Sequence, residues 1–271
     1  ASTPTGQVLG LDRDIQALEI AKRRLAPFRG RVHFVQTAFS DIAEAMRSVG
    51  WPTIDGIVAD VGISSMHVDE AARGFSFRNA GPVDMRMDVG QDETALDMIE
   101  RLSESDLADV IFNYGEERNS RRIAKRIKMY FSEIQTTADL ARIVEGAFSS
   151  SKHASRKKGR IHVATRTFQA LRIAVNDELG QLKRLLSELL NVLRPGGRAV
   201  LITFHSLEDR IVKQQFRAWA RPPRTDRFAM RSDPFSPVVR LLNKKVVKAS
   251  AEEVLRNPRA RSATLRAMEK I

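Results

Sequence analysis

The feature that most narrows the fold is an alternation of short apolar runs and helical periodicities in the first part of the chain. Gln7–Leu11 reads as a buried strand closed by Asp12, and Asp14 is placed to cap a helix carrying Ile15, Leu18, Ile20, Ala21 and Leu25 at helical spacing. Arg31–Gln36 (RVHFVQ) predicts a second strand, Asp41–Val49 a second helix, and Ile54–Val61 (IDGIVADV) a third strand with Asp60 near its carboxyl end. Parallel strands need such crossover helices because a tight turn cannot join them. The alternation therefore predicts an α/β fold with a parallel sheet, and in such sheets ligands bind beyond the carboxyl ends of the strands. Ala1–Gly6 runs straight into the first strand, so a leading strand and helix are expected to be missing from these residues.

After Asp88 the pattern turns helical without intervening strands. Ser103 caps a predicted helix bearing Leu107, Val110, Ile111 and Tyr114; Ile123 and Ile127 mark another, and Thr137 begins a third. This predicts a helical insertion over residues 89–159, between a first core segment (1–88) and a second (160–271). A long helix is expected next, because Phe168, Leu171, Val175, Leu179, Leu182, Leu186, Leu189 and Leu193 step by threes and fours up to Pro195-Gly196-Gly197. Arg198–Phe204 then predicts a core strand, Ile211–Trp219 a helix, and the C-terminal stretch a strand, a short helix and a terminal strand.

Composition enters as a filter on partners. The chain of 271 residues carries 45 Lys and Arg against 33 Asp and Glu, a formal charge of +12, which favours polyanions such as nucleic acid. No apolar run approaches the ~20 residues that span a bilayer, so no membrane partner is expected. With no cysteine, disulfides and thiolate-ligated zinc are excluded, and no histidine spacing suggests a metal.

Candidate chemistry lies at the predicted strand ends. Asp12 can accept both hydroxyls of an adenosine ribose, or be an ordinary surface acid. Asp60, followed by Val61-Gly62-Ile63-Ser64-Ser65, can orient an amino nucleophile or simply end its strand. Arg73-Gly74-Phe75-Ser76-Phe77 and Asp84-Met85-Arg86-Met87-Asp88 offer phosphate pairing and base stacking, or a buried ion-pair network. In Phe204-His205-Ser206-Leu207-Glu208-Asp209-Arg210, no nucleophile elbow surrounds Ser206; helix capping by Ser206 with Asp209 is one reading and substrate contact through His205, Ser206, Asp209 and Arg210 the other. The basic loop containing Lys152, Arg156, Lys157, Lys158 and Arg160 suits phosphate contacts, as does a second cluster at Arg256, Arg259, Arg261 and Arg266.

Taken together these segments resemble the bacterial and organellar family that methylates the N4 amine of a cytidine in small-subunit, 16S-type ribosomal RNA. The carrying blocks include LDRD (Leu11–Asp14), DGIVADVGISS (Asp55–Ser65), RGFSF (Arg73–Phe77), GPVDMRMD (Gly81–Asp88), RPGGRAVLITFHSLEDRIVK (Arg194–Lys213) and NPRARSATLR (Asn257–Arg266). The resemblance implies a Rossmann-like class I methyltransferase core with a helical insertion that helps bind RNA. It also implies S-adenosylmethionine as cofactor, and small-subunit ribosomal RNA or the assembling small subunit as partner, in the cytoplasm or an organelle matrix. Monomer and dimer both stay open.

By the same resemblance Asp12 would hold the ribose, Phe39 flank the adenine, and Asp60 lie by the methionyl part or the reacting amine. The family's next cofactor-binding position, usually glutamine, falls on His67. Arg73, Phe75, Asp84, Arg86, Lys157 and Lys158 would face the RNA. The family's loop ending in Gly-Gly-His has no counterpart in these residues. The implied chemistry is direct methyl transfer to an unstacked cytosine, without a covalent protein intermediate. Two readings compete with it: a nicotinamide-dependent dehydrogenase using Asp12 on a ribose, and a non-catalytic ribosome-assembly factor that retains the fold.

Overall fold

The computed structural model describes residues 4–28, 30–148, 162–221 and 236–271. Strand β1 (Val8–Asp12) is followed by helix α1 (Ile15–Arg24), β2 (Val32–Gln36), α2 (Ile42–Ser48) and β3 (Ile54–Asp60). Helices α3 (Ser65–Asp69), α4 (Ala95–Arg101), α5 (Glu104–Gly115), α6 (Ser120–Met129), α7 (Thr137–Gly146) and α8 (Thr165–Val175) come next, with no strand between them among the described residues. The chain continues through α9 (Glu178–Val192), β4 (Leu193–Thr203), α10 (Ser206–Ala220), β5 (Val239–Leu241), β6 (Val247–Lys248), α11 (Ala251–Arg256) and β7 (Thr264–Lys270).

Two compact units result, one from residues 1–62 with 179–271 and the other from 63–178. The helical unit is longer at both ends than the expected 89–159. Phe75, Val83 and Met85 are buried in the same cluster as Ile99, Leu107 and Ile111, and α8 adds Phe168, Leu171 and Val175 to it.

In the sheet-bearing unit β1 and β2 pair in parallel, as do β3 and β4. Strand β7 then runs antiparallel between β4 and β5, and β6 also pairs with it. Among the described residues, β1 pairs only with β2 and β3 only with β4. The alternating apolar residues of β4, Ala199 and Leu201, are buried with Leu182, Leu185, Leu186 and Leu189 of α9, Val212 and Phe216 of α10, and Met268 of β7. Each of the Leu, Val, Phe and Met side chains among these contributes roughly 1.5–3 kcal/mol when fully buried. Strand β4 begins earlier than Arg198 because Pro195-Gly196-Gly197 is absorbed as a register shift opposite Ile54 and Gly56. Lys270 closes α9 by donating from Nζ to the carbonyls of Leu190 (2.6 Å) and Leu193 (2.7 Å).

The helical unit is built around Ile99, Leu107, Ile111, Ile123, Ile127, Leu140 and Leu171, all wholly buried. Helices α5 and α8 cross closely at Gly115, where a Cβ would stand 2.6 Å from the Arg166 carbonyl oxygen. The single long helix expected from Phe168 to Leu193 is instead two helices, broken after Val175. The Asn176 amide is drawn out of the helical pattern, since Nδ2 donates to the Met85 carbonyl (2.7 Å) and Oδ1 accepts the Met87 N–H (2.8 Å). Asp177 then takes φ 47°, a left-handed conformation that ends a helix. Apolar spacing alone cannot register a buried amide with tertiary partners of this kind.

Candidate active site

In the sheet-bearing unit the candidate residues follow the carboxyl ends of its parallel strands, where a doubly wound sheet places ligands. Asp12 closes β1, and its Oδ1 accepts the Asp14 N–H at 2.8 Å. Asp14 is the residue that caps α1, accepting the Gln16 N–H at 2.9 Å, as its sequence position predicts. The Thr37 N–H donates to the Asp12 carbonyl (3.1 Å), which ties the ends of β1 and β2 together. Phe39 starts the one-turn helix Phe39–Asp41 directly after β2 and packs half-buried on the core, while buried Ser40 hydrogen-bonds Gln181 of α9. An acid and an aromatic ring therefore stand at neighbouring strand ends.

Asp60 ends β3 opposite Ile202 of β4, and Val61 donates its N–H to the Ile202 carbonyl at 2.9 Å. Gly62 then takes φ 114°, which a side chain would strain, in van der Waals reach of the Phe204 ring. Asp60 keeps contact with solvent. Even so, partial loss of hydration, with the negative charge of Glu208 second, raises the pKa of its carboxyl from the ordinary value. The raised direction is the one that suits a proton acceptor.

Glu208 is fully buried at the start of α10. Its Oε2 accepts the N–H groups of Phe204 (2.8 Å) and His205 (3.3 Å), and its Oε1 lies 3.1 Å from His205 Nε2. The cap of α10 is thus His205 with Glu208, not Ser206 with Asp209: Ser206 is the first helical residue and is exposed. Both ring nitrogens of His205 and Oε1 of Glu208 are buried without a partner in hydrogen-bonding geometry. Asp209 is held by Arg266 through two bonds, Nε to Oδ1 at 2.7 Å and the second guanidinium nitrogen to Oδ2 at 2.9 Å. Arg266 accordingly holds the Asp209 carboxyl below its ordinary range. Arg210 is exposed on α10.

In the helical unit the remaining residues are tightly engaged. Buried His67 completes a capping box on α3: its Nδ1 accepts the Ser64 N–H and its own N–H donates to Ser64 Oγ, both at 3.3 Å. Its ring stacks on Phe75 with centroids 4.9 Å apart. The buried Arg73 guanidinium donates to the carbonyls of Arg86 (3.1 Å) and Met87 (2.8 Å). Arg86 grips Asp84 through Nε and a terminal nitrogen, both at 2.8 Å, and also reaches the Gln91 carbonyl. Partial burial works to raise Asp84, but the hydrogen bonds and charge of Arg86 prevail and hold it low. These bonds form the ion-pair network that the sequence offered for Arg73, Asp84 and Arg86, a role that can coexist with RNA contact. Lys157 and Lys158, with the loop around them, lie outside the described residues.

Residues 1–271 match the MraW methylase family model over their whole length. The chain belongs to the MraW methylase family. Its curated relatives carry the name ribosomal RNA small subunit methyltransferase H. That of Nitratidesulfovibrio vulgaris strain DP4 is 50% identical over 268 residues, covering 98% of this chain and 82% of the relative. That of Geotalea uraniireducens strain Rf4 is 47% identical over 274 residues, covering 100% and 86%. That of Sorangium cellulosum strain So ce56 is 47% identical over 271 residues, covering 99% and 79%. The fold is accordingly that of a class I methyltransferase, mixed α/β with a parallel sheet. No helix among the described residues is long and apolar enough to cross a membrane.

Within this MraW methylase family member, sequence reasoning passed over Glu208 as a cap and as the charge acting on Asp60. The signal was present, since His205 and Glu208 stand three residues apart directly after a strand, the spacing of a capping box. It was obscured because Ser206 is the commoner capping residue. Asn176 was passed over because a polar residue inside an apolar periodicity is ordinarily solvent-facing.

Proposed function

We propose that this chain transfers a methyl group from S-adenosylmethionine to the exocyclic N4 amine of a cytidine in small-subunit ribosomal RNA. The observation that carries the reading is Asp60 at the end of β3, just ahead of the Gly62 turn, with Asp12 and Phe39 at the ends of the paired strands β1 and β2 of the same unit. The residues present fit the donor. Asp12 would accept the ribose hydroxyls, Phe39 would lie against the adenine, and Asp60 would stand by the methionyl end and the acceptor amine.

When bound, the sulfonium donor supplies an electrophilic methyl carbon. The acceptor amine is conjugated with the pyrimidine ring and is weakly nucleophilic, so the chain's task is to hold it in line and take its proton. As the N–C bond would form, the methyl–sulfur bond would break with its electron pair left on the departing neutral thioether; the nitrogen becomes cationic, and one N–H proton passes to the Asp60 carboxylate. The raised affinity of that carboxylate for a proton, caused by lost hydration and by Glu208, favours the transfer. The base must be unstacked to reach these residues.

The relatives' names support ribosomal RNA as substrate class. The test is nucleoside mass spectrometry of small-subunit RNA after incubation with the chain and isotopically labelled donor. N4-methylcytidine carrying the label is expected. Label on another nucleoside would overturn the site of transfer, and none on any RNA would leave the assembly-factor reading.

A further inference from the structure

The expected RNA contacts fell on the helical insertion and two basic clusters, but the sheet-bearing unit contains a cleft that only one of those residues predicted. It has a volume of about 160 Å³ and lies between α10 and the β5–β7 side of the sheet. Lys213, Arg217 and Arg221 line one wall and Lys244 the other, with Arg266 and Asn243 among the residues between them. None of the described lining residues is acidic.

The cations divide into two kinds. Arg266 is neutralised by Asp209, and so belongs to the scaffold. Lys213, Arg217, Arg221 and Lys244 are exposed; the charge of Lys213 is felt by Asp209, but among the described residues none of the four forms a close ion pair with a carboxylate. Lys213 and Arg217 are four residues apart on α10 and therefore share a face, while Arg221 follows just past the helix end. The helix dipole accounts for cations in the last turn of α10, as at Arg217, but not for Lys244, which reaches the cleft from the loop after β5. That loop is fixed: Asn243 donates to the carbonyls of Lys245 (2.9 Å) and Leu265 (3.0 Å) and accepts the Ala267 N–H (2.7 Å). The backbone that carries Lys244 is therefore held in place before any partner arrives.

We propose that this cleft binds the phosphodiester backbone of an RNA strand, the four exposed cations each meeting a phosphate. A concave trough with no acidic residue among its described lining admits a linear polyanion, whereas a flat anionic bilayer cannot enter it. Positioning without sequence readout is what such contacts supply. The proposal rests on the RNA reading above and adds where on the methyltransferase core the strand runs.

The test is the salt dependence of RNA affinity, read by fluorescence anisotropy with a labelled single-stranded fragment of small-subunit RNA. For single strands the slope of log K against log salt is about −0.7 per neutralised phosphate. A Lys213→Gln, Arg217→Gln, Arg221→Gln, Lys244→Gln variant should therefore flatten the slope by roughly 3. A matched variant at exposed positions outside the cleft, Lys22→Gln, Arg23→Gln, Arg24→Gln, Arg47→Gln, should leave the slope as it was. An unchanged slope in the first variant, or an equal change in both, overturns the proposal. Loss of affinity for phosphatidylserine vesicles but not for RNA also overturns it. Methyl transfer by the unmodified chain is measured in parallel. Transfer with an unaltered slope removes only the cleft, and a flattened slope without transfer removes only the catalytic reading.

Discussion

Asp60→Asn separates chemistry from folding. The substitution keeps the volume and one acceptor oxygen, so the amine can still be oriented, but the amide cannot take a proton. A positioned general base contributes about 10²- to 10⁴-fold, or about 3–5 kcal/mol of barrier. Single-turnover transfer should fall by that factor, while RNA affinity changes by less than about threefold, under 1 kcal/mol. Stability should move the other way. The folded-state pKa of Asp60 is raised above its unfolded value, so the stability linked to its neutral form is full below the unfolded pKa and lost as pH rises through the folded one. Near neutral pH the wild-type carboxylate therefore opposes folding and the asparagine does not. The variant should melt higher than wild type near neutrality, and the gap should close in acid as the wild-type carboxyl takes up its proton. Differential scanning calorimetry across pH reads this directly. A variant that melts lower near neutral pH, or whose transfer falls no further than its RNA affinity, would refute the assignment of Asp60 as a strained proton acceptor.

Three further outcomes are expected. Asp12→Ala should weaken donor affinity by roughly 10- to 100-fold, the loss of one or two charge-assisted hydrogen bonds; calorimetric titration checks it. Asn176→Ala strands the buried Met85 carbonyl and Met87 N–H, which should cost about 3 kcal/mol in urea unfolding monitored on the helical unit. Arg266→Ala leaves Asp209 partly buried without its partner and should destabilise by about 1–3 kcal/mol near neutral pH. Because Arg266 lowers the Asp209 pKa, that contribution is present above the unfolded carboxylate range and disappears as pH falls, so wild-type and variant melting curves should converge in acid.

Much of this architecture was legible before any coordinates. The period of two or continuous apolar runs of β1 to β3, and the 3.6-residue period of the helices between them, are local properties, and local sterics and burial decide them wherever the chain lies. The capping roles of Asp14 and Ser103 were legible for the same reason, since a cap bonds to backbone two or three residues away. Asp12 and Asp60 could be nominated because each closes an apolar run, and in a parallel sheet that position is where ligands bind, whereas Phe39 was implied only by the family resemblance.

Only the tertiary structure decided what depends on groups distant in sequence. The break between α8 and α9 is set by Asn176 meeting backbone that lies 89 and 91 positions away. The engagement of Asp209 by an arginine 57 positions on, and the pKa of Asp60, set by burial and a glutamate from another strand end, are likewise invisible in local pattern. A carboxylate's charge state follows from the water and charges around it, and those neighbours are chosen by the fold rather than by the residues beside it in the chain.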